Sequence, residues 1–541
     1  MSVRPDLLLI HPGTNRKIYE VLADEFAAIE PPFTAALTAG FARQKGYSVE
    51  LIDANAEGLT NSEVADRVKQ INPKLIQIIV HGQQPSASSQ MMGSVGELCR
   101  EIKGSNNIPL ILSGTHPSSL PERTLREEEV DFVIRGEGFD TLTALLNGAE
   151  REKVPGLCWL EGGKKGTFSF NPSGPLIKDL DEELGTVAWD LLPMGNYRAH
   201  NWHADFKTIE ERKQYTSMYT SFGCPFRCTY CCINGPFKAS IADSDGTTNK
   251  TMGKEDGSSK ETKLLEMLDS VRPVIRMWSS EKVLENIETL VEKYGVRHLK
   301  FIDEMYVFDR EHVRQIAQGI IDRGYKDLNI WAYARVDTTR DQPLLDLIKK
   351  GGINWICLGI ESANKEVRHG AAKNFGNEAV MESIKRVEQA GIKVLANFMV
   401  GLRNDTLASM RQTLDMALEI NAPWFNLYAT MAYPGAPDYT WAKKKGIPLP
   451  GDSGVPGGWT AYSHHSYFSL PLPTETLSAA EVLAFRDNAF NEYFRSTSYI
   501  SRIKREFGDG AVKHIERMAA HKIKRRILGG KTSEEYKSGA Q

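Results

Sequence analysis

Short apolar runs recur along this chain with helix-length segments between them, and that alternation is the strongest constraint on its fold. In residues 1–150 the runs are Asp6–Ile10, Ser48–Asp53, Leu75–Val80, Pro109–Ser113 and Asp131–Arg135. Segments such as Thr34–Lys45 and Glu63–Gln70 separate them. Strands that are apolar on both faces and joined by helices build a parallel sheet covered on both sides. An α/β, doubly wound, Rossmann-like domain is therefore expected over 1–150. Ligands of such sheets bind past the carboxyl ends of the strands. There the sequence turns small or polar, at His11-Pro-Gly-Thr14, His81-Gly-Gln-Gln84 and Gly114-Thr-His-Pro117.

A second series occupies 214–450. Its strand-like runs are Gln214–Ser221, His298–Ile302, Leu328–Ala332, Trp355–Gly359, Lys393–Val400 and Phe425–Ala429, with helical segments such as Ser280–Tyr294 and Glu311–Arg323 between them. The first run leads into Gly223-Cys-Pro-Phe-Arg-Cys-Thr-Tyr-Cys231, a C-x3-C-x2-C spacing. Three thiolates on one loop can hold three irons of a cubane cluster and leave the fourth iron open to chelate a small molecule. Structural zinc wants four closed ligands, and Cys232, adjacent to Cys231, is awkwardly placed to be the fourth. Seven cysteines are too sparse, and odd in number, for a disulfide framework. Cys99, Cys158 and Cys357 lie in apolar surroundings and read as buried small hydrophobes.

With Tyr230 before its last cysteine, this run resembles the radical S-adenosylmethionine (SAM) superfamily. The resemblance implies a partial (β/α)6 barrel with its chemistry at the strands' C-terminal ends. It implies a [4Fe-4S] cluster on Cys224, Cys228 and Cys231, and reductive cleavage of SAM to a 5′-deoxyadenosyl radical. The electron would come from an external one-electron reductant, a flavodoxin or ferredoxin. Carried onto the strand ends, it makes Asp303 and Glu304 partners of SAM's ammonium. Glu361 and Ser362 become hydrogen-bond partners of ribose and methionine. Arg335 becomes a contact for a carboxylate or phosphate, and Asn397 a neighbour of adenine. Each strand-end residue read alone is simply solvated.

Three stretches of the first domain, Gly46–Gly58, Ser113–Pro117 and Val130–Gly138, resemble the cobalamin-binding domain that precedes many radical SAM barrels. They imply cobalamin as a further cofactor, contacted by Gly114, Thr115 and His116. The alternative is a Rossmann-like domain that binds a nucleotide or nothing. One departure matters: many cobalamin proteins carry D-x-H-x-x-G after the first strand, and His11-Pro-Gly-Thr-Asn-Arg16 does not match it. The chain looks like the subgroup without a histidine lower ligand to cobalt.

Residues 151–213 are expected to be a connector. Residues 239–262, rich in Ser, Asp, Gly, Thr and Lys, read as a flexible insertion. Residues 451–541 read as a mostly helical cap over the barrel mouth, with helices near Ala479–Phe494 and Val512–Leu528. That cap makes His464, His465 and Tyr462 candidates for substrate contact. A hydrophobic content of 41% and a charged content of 25% describe an ordinary globular chain. With a net charge of −3, and the run His521-Lys-Ile-Lys-Arg-Arg526 read as a solvated helix face, no nucleic-acid partner is expected. No apolar run reaches membrane-spanning length, and the N-terminus lacks a signal peptide's layout. The expected location is cytoplasmic.

Together these readings describe a cobalamin-dependent radical SAM enzyme. The expected activity is methyl transfer to an unactivated carbon or phosphinate centre of a small-molecule intermediate, with no catalytic residue assigned. A cyclase or rearranging enzyme with the same cofactors is the alternative. A methylthiotransferase would need three further cluster cysteines in the N-terminal domain, and a cobalamin carrier would need no reducible cluster.

Overall fold

A computed structural model describes residues 4–82, 84–253 and 258–536. Seven strands form the N-terminal sheet: β1 (Leu7–His11), β2 (Val49–Asp53), β3 (Leu75–Val80), β4 (Leu110–Gly114), β5 (Phe132–Ile134), β6 (Leu157–Glu161) and β7 (Thr167–Phe170). Their order is β2-β1-β3-β4-β5-β6-β7, parallel through β5 and antiparallel from β5 to β7. Every residue of β1 and β3 is buried, as strands covered by helices on both faces must be. The strand order reverses between β1 and β3, which places the ligand crevice at their carboxyl ends.

The remaining strands are β8 (Tyr215–Met218), β9 (Ser221–Gly223), β10 (Ile275–Met277), β11 (His298–Phe301), β12 (Asn329–Arg335), β13 (Ile353–Glu361), β14 (Lys393–Val400) and β15 (Trp424–Ala429). Six of them form one parallel sheet in the order β15-β14-β13-β12-β11-β8, an open half-barrel. β9 and β10 pair separately and antiparallel. Trp202, from the segment between the two sheets, plugs the half-barrel. Its ring lies 5.1 Å from both Trp331 and Trp355 and 6.2 Å from Trp424. Phe33, on the helix Phe33–Gln44, meets Trp189, Tyr219 and Trp278 edge-on at 5.8, 5.6 and 6.2 Å. The seam between the two sheets is thus apolar core, and one continuous buried cluster spans both.

Several expectations differ from this architecture. The connector contributes the hairpin β6–β7 to the first sheet; its Gly- and Lys-rich turn, Gly162-Gly-Lys-Lys-Gly166, imitates a linker. The stretch 239–262 is not a flexible insertion where it is described. It carries parts of the helices Gly235–Ser244, Thr247–Met252 and Lys260–Ser270, while 254–257 lie outside the described residues. Its small side chains allow close packing: Ala239 and Ala242 are fully buried, and Ser240 Oγ accepts from the Glu137 amide at 3.2 Å. Asp243 pairs with Arg135, just past the end of β5 in the first sheet, both side chains shut off from solvent. The last long helix is Thr497–Ala520, interrupted at Gly508 with φ 82°, rather than Val512–Leu528. The basic run after it is solvated at His521, Lys522, Lys524 and Arg526 but is not helical over 521–525, and its Arg525 is wholly buried against Asp487.

Candidate active site

The cysteine loop starts at Gly223, whose φ is +85° and whose missing Cβ would sit 2.3 Å from the Val274 carbonyl oxygen. Only glycine allows both the left-handed backbone and this approach. Asn234 closes the loop from the far side. Its Oδ1 accepts from the Cys224 amide at 3.0 Å and its Nδ2 donates to the Cys224 carbonyl at 2.8 Å. Asp303 anchors the strand ahead of the loop, accepting from the Thr220 amide and hydroxyl (3.0 and 2.8 Å) and from the Ser221 hydroxyl at 2.6 Å.

Past the loop, Cys224, Cys228 and Cys231 line one cavity of about 500 Å³ between the half-barrel and the N-terminal domain. Burial pushes the Cys224 thiol up to about 12 and the Cys231 thiol well above its ordinary range. The Arg335 guanidinium lies 4.0 Å from Cys228 Sγ and 3.8 Å from the Phe226 ring centroid. A cationic metal group deprotonates cysteine thiols on binding. Among the described residues no three His, Cys, Asp or Glu side chains converge on an ion-sized point. Three cysteine sulfurs from one loop, opening on one cavity, are a donor set that fits an iron–sulfur cluster and falls one short of the four ligands of structural zinc. Cys232 does not line this cavity and is 2% exposed.

Of the other residues singled out in the sequence, Tyr230, Glu304, Arg335, Glu361, Asn397, His464 and His465 also line the cavity. Glu304 Oε1 is buried without a hydrogen-bond partner, and burial pushes its carboxyl up to about 7. Glu361 closes β13 with φ 67°, a left-handed conformation rare for a side-chain-bearing residue, and its carboxylate binds Lys373. Such strain concentrates at functional positions. Asn397 accepts from Asn426 Nδ2 at 3.0 Å and donates to Cys357 Sγ at 2.9 Å.

The rest fall elsewhere. Asp303 is the loop anchor described above. Ser362 is fully buried and accepts from the Asn364 amide at 3.1 Å. Tyr462 is fully buried, donates to the Ala432 carbonyl at 2.6 Å and supports Tyr433 by stacking at 5.0 Å. Gly114, Thr115 and His116 lie at the end of β4 and do not reach the large cavity. Gly114, with φ +115°, lets β4 approach the Val80 carbonyl of β3. His116 sits between Ser89 Oγ (2.9 Å) and the Trp459 ring (4.4 Å), and burial pushes it down to about 3.

His11 and His81, at the ends of β1 and β3, line a small separate cavity with Glu30, Gly82 and Tyr219. His81 Nε2 is engaged by the Tyr219 hydroxyl at 3.1 Å. The large cavity also contains groups that the sequence did not single out. Lys300 binds Glu30 at 2.9 Å with both side chains 3% exposed, and the Tyr333 hydroxyl donates to Gln84 Oε1 at 2.9 Å. These contacts join segments roughly 250 residues apart, and no local motif signals them.

Two families match the chain: "B12 binding domain" over residues 19–146 and "Radical SAM superfamily" over residues 218–417. An uncharacterized methyltransferase of Pyrococcus horikoshii is 26% identical over 79% of this chain and 81% of its own length. The anaerobic magnesium-protoporphyrin IX monomethyl ester cyclase of Cereibacter sphaeroides is 23% identical over 76% of this chain, which spans 59% of that protein. In fold the chain is similar to the radical SAM methyltransferase TsrM from Kitasatospora setae, solved with cobalamin and a [4Fe-4S] cluster. The TM-score is 0.63 at 15% identity, over 95% of this chain and 98% of that one. With a B12-binding-domain match ahead of a radical SAM match, and with its cysteine triad facing the cavity between them, the chain carries the domain pair of cobalamin-dependent radical SAM enzymes.

Proposed function

We propose that this enzyme transfers a methyl group to an unactivated carbon or phosphinate centre of a small molecule. One observation carries the reading: a single cavity is walled at once by the cysteine loop and by Tyr19 and Gln84 of the N-terminal domain. A reaction that brings both cofactors to one substrate needs such a shared space. When bound, the cluster with SAM supplies a hydrogen-abstracting radical and cobalamin supplies the methyl group.

The chain's own residues bind, orient and exclude water. Cys224, Cys228 and Cys231 hold the cluster, and Asp303 positions their loop. Glu361, Arg335, Asn397 and Glu304 offer charge and hydrogen bonds to SAM. Trp202, Trp331, Tyr333 and Phe425 add an aromatic patch to the cavity wall, which helps keep water from a reactive radical. The electron comes from an external flavodoxin or ferredoxin, and a reducing cytoplasm suits such a cluster. Among the described residues no helix is long and apolar enough to cross a membrane.

SAM bearing a deuterated methyl group tests the reaction. Label is expected in the product, with 5′-deoxyadenosine and S-adenosylhomocysteine both formed in each turnover. Deoxyadenosine formed with an unlabelled product, and without homocysteine product, would move the assignment to cyclization or rearrangement. That second reading is supported by the similarity to the Cereibacter cyclase.

Glu361→Gln tests the SAM site. It keeps the side chain's size and removes the charge paired with Lys373. SAM affinity is expected to fall about ten- to a hundredfold, the loss of one charge-assisted hydrogen bond, with iron content unchanged. Equal affinity in parent and variant by equilibrium binding would remove Glu361 from the site.

A further inference from the structure

The part of the cavity wall built beyond residue 460 differs in charge from the rest. Elsewhere the cations are matched one to one: Lys300 with Glu30, Lys373 with Glu361, Arg335 with Asp337. Here two guanidiniums share one carboxylate. Arg486 donates to Asp487 Oδ1 at 2.9 Å, and Arg525 to Oδ2 at 2.8 Å and to Oδ1 at 3.0 Å. Among the described residues Asp487 is the only acid within ion-pair reach of either, so the group retains one net positive charge. All three side chains are nearly buried, at 10, 0 and 11% exposure. An uncompensated buried charge is costly unless a partner arrives to meet it.

The geometry shows where that partner would bind. Arg525 is not part of the cavity wall, and it spends its other donors on the carbonyls of Ser466 and His464 at 2.8 Å each. Arg486 lines the cavity. Its Nε donates to the Leu427 carbonyl at 2.9 Å, and among the described residues its second terminal nitrogen has no protein partner. His464 and His465 line the cavity beside it, and the Nδ1 atom of each is buried with no partner. Burial and the nearby Arg486 hold both imidazoles below the ordinary range, so each is neutral and can offer one N–H.

We propose that Arg486, His464 and His465 form a subsite for an anionic group carried by the substrate, either a carboxylate or a phosphoryl group. The inference rests on the reading of this cavity as the substrate chamber. Anion binding is measured without methyl transfer, so either conclusion can fail alone.

The test uses the full chain loaded with cluster and cobalamin, and ligand-observed saturation-transfer NMR. The probes are methylphosphonate and propionate, with propionamide as the uncharged control. At least one anion is expected to bind about tenfold or more tightly than propionamide, and the tighter anion names the group. Arg486→Gln is expected to weaken that anion about tenfold or more, and Arg486→Lys, which keeps the charge but not the fork that also holds Leu427 and Asp487, to weaken it less than Arg486→Gln does. His464→Phe and His465→Phe keep ring volume and lose the nitrogens; they are expected to weaken the anion about threefold or more each, and they serve if the Gln variant does not fold. No preference for an anion over the amide overturns the subsite. So does anion binding that is unchanged in Arg486→Gln or, where that variant does not fold, in both histidine variants.

Discussion

Alanine at Cys224, Cys228 and Cys231 together is expected to remove the iron–sulfur cluster and with it all reductive cleavage of SAM. The three thiols are the cysteines of one loop, and they open onto one cavity. Burial disfavours the thiolates of Cys224 and Cys231, and a bound cationic group offsets that cost. With those ligands gone, nothing else in the loop can replace them. Cys232 is the natural control. It is adjacent in sequence, but it stays outside the cavity and burial pushes its thiol up to about 12. Anaerobic reconstitution is expected to give about four irons and four sulfides per chain in the parent and in Cys232→Ala, and essentially none in the triple variant. Loss of iron and of 5′-deoxyadenosine formation in Cys232→Ala would overturn the ligand set.

The second large effect concerns stability. Asp243, on the helix that follows the cysteine loop, meets Arg135, just past the end of β5 in the N-terminal sheet, with side chains 0 and 1% exposed. Its carboxylate also accepts from the Ser173 amide at 2.7 Å. Asp243→Ala strands a guanidinium in the interior with, among the described residues, only the Phe170 ring, 5.5 Å away, for compensation. Breaking one side of a buried pair costs about 3–5 kcal/mol, so the urea midpoint followed by circular dichroism is expected to drop sharply. The double variant Arg135→Met, Asp243→Leu removes both charges and is expected to recover most of that loss. A single-variant loss under about 1 kcal/mol, the size of an exposed pair, would show that this contact does not tie the helix to the sheet.

The apolar strands of both sheets were legible because a strand covered on both faces must be a continuous hydrophobic run. β3 coincides residue for residue with such a run, and β14 does so although Lys393 and Asn397 interrupt its apolar residues. The cysteine triad was legible because its chemistry is local, three donors within eight residues of chain from Cys224 to Cys231. The segment 239–262 was not legible. Its low hydrophobicity resembles disorder when no neighbour is known, and only the approach of the first sheet buries Ala239, Ala242 and Asp243. The same limit held at the strand ends. Asp303 and Glu304 are adjacent, as are Glu361 and Ser362, yet one of each pair lines the cavity and the other supports it from behind. Successive side chains at a strand end point to opposite sides, so chemistry alone could not choose between them. By itself, then, the sequence determined the two α/β units, the cysteine triad and the strand ends that border its cavity. Which charges meet there was decided by tertiary structure, because Glu30 reaches Lys300, and Arg525 reaches Asp487, only when distant segments pack and water leaves.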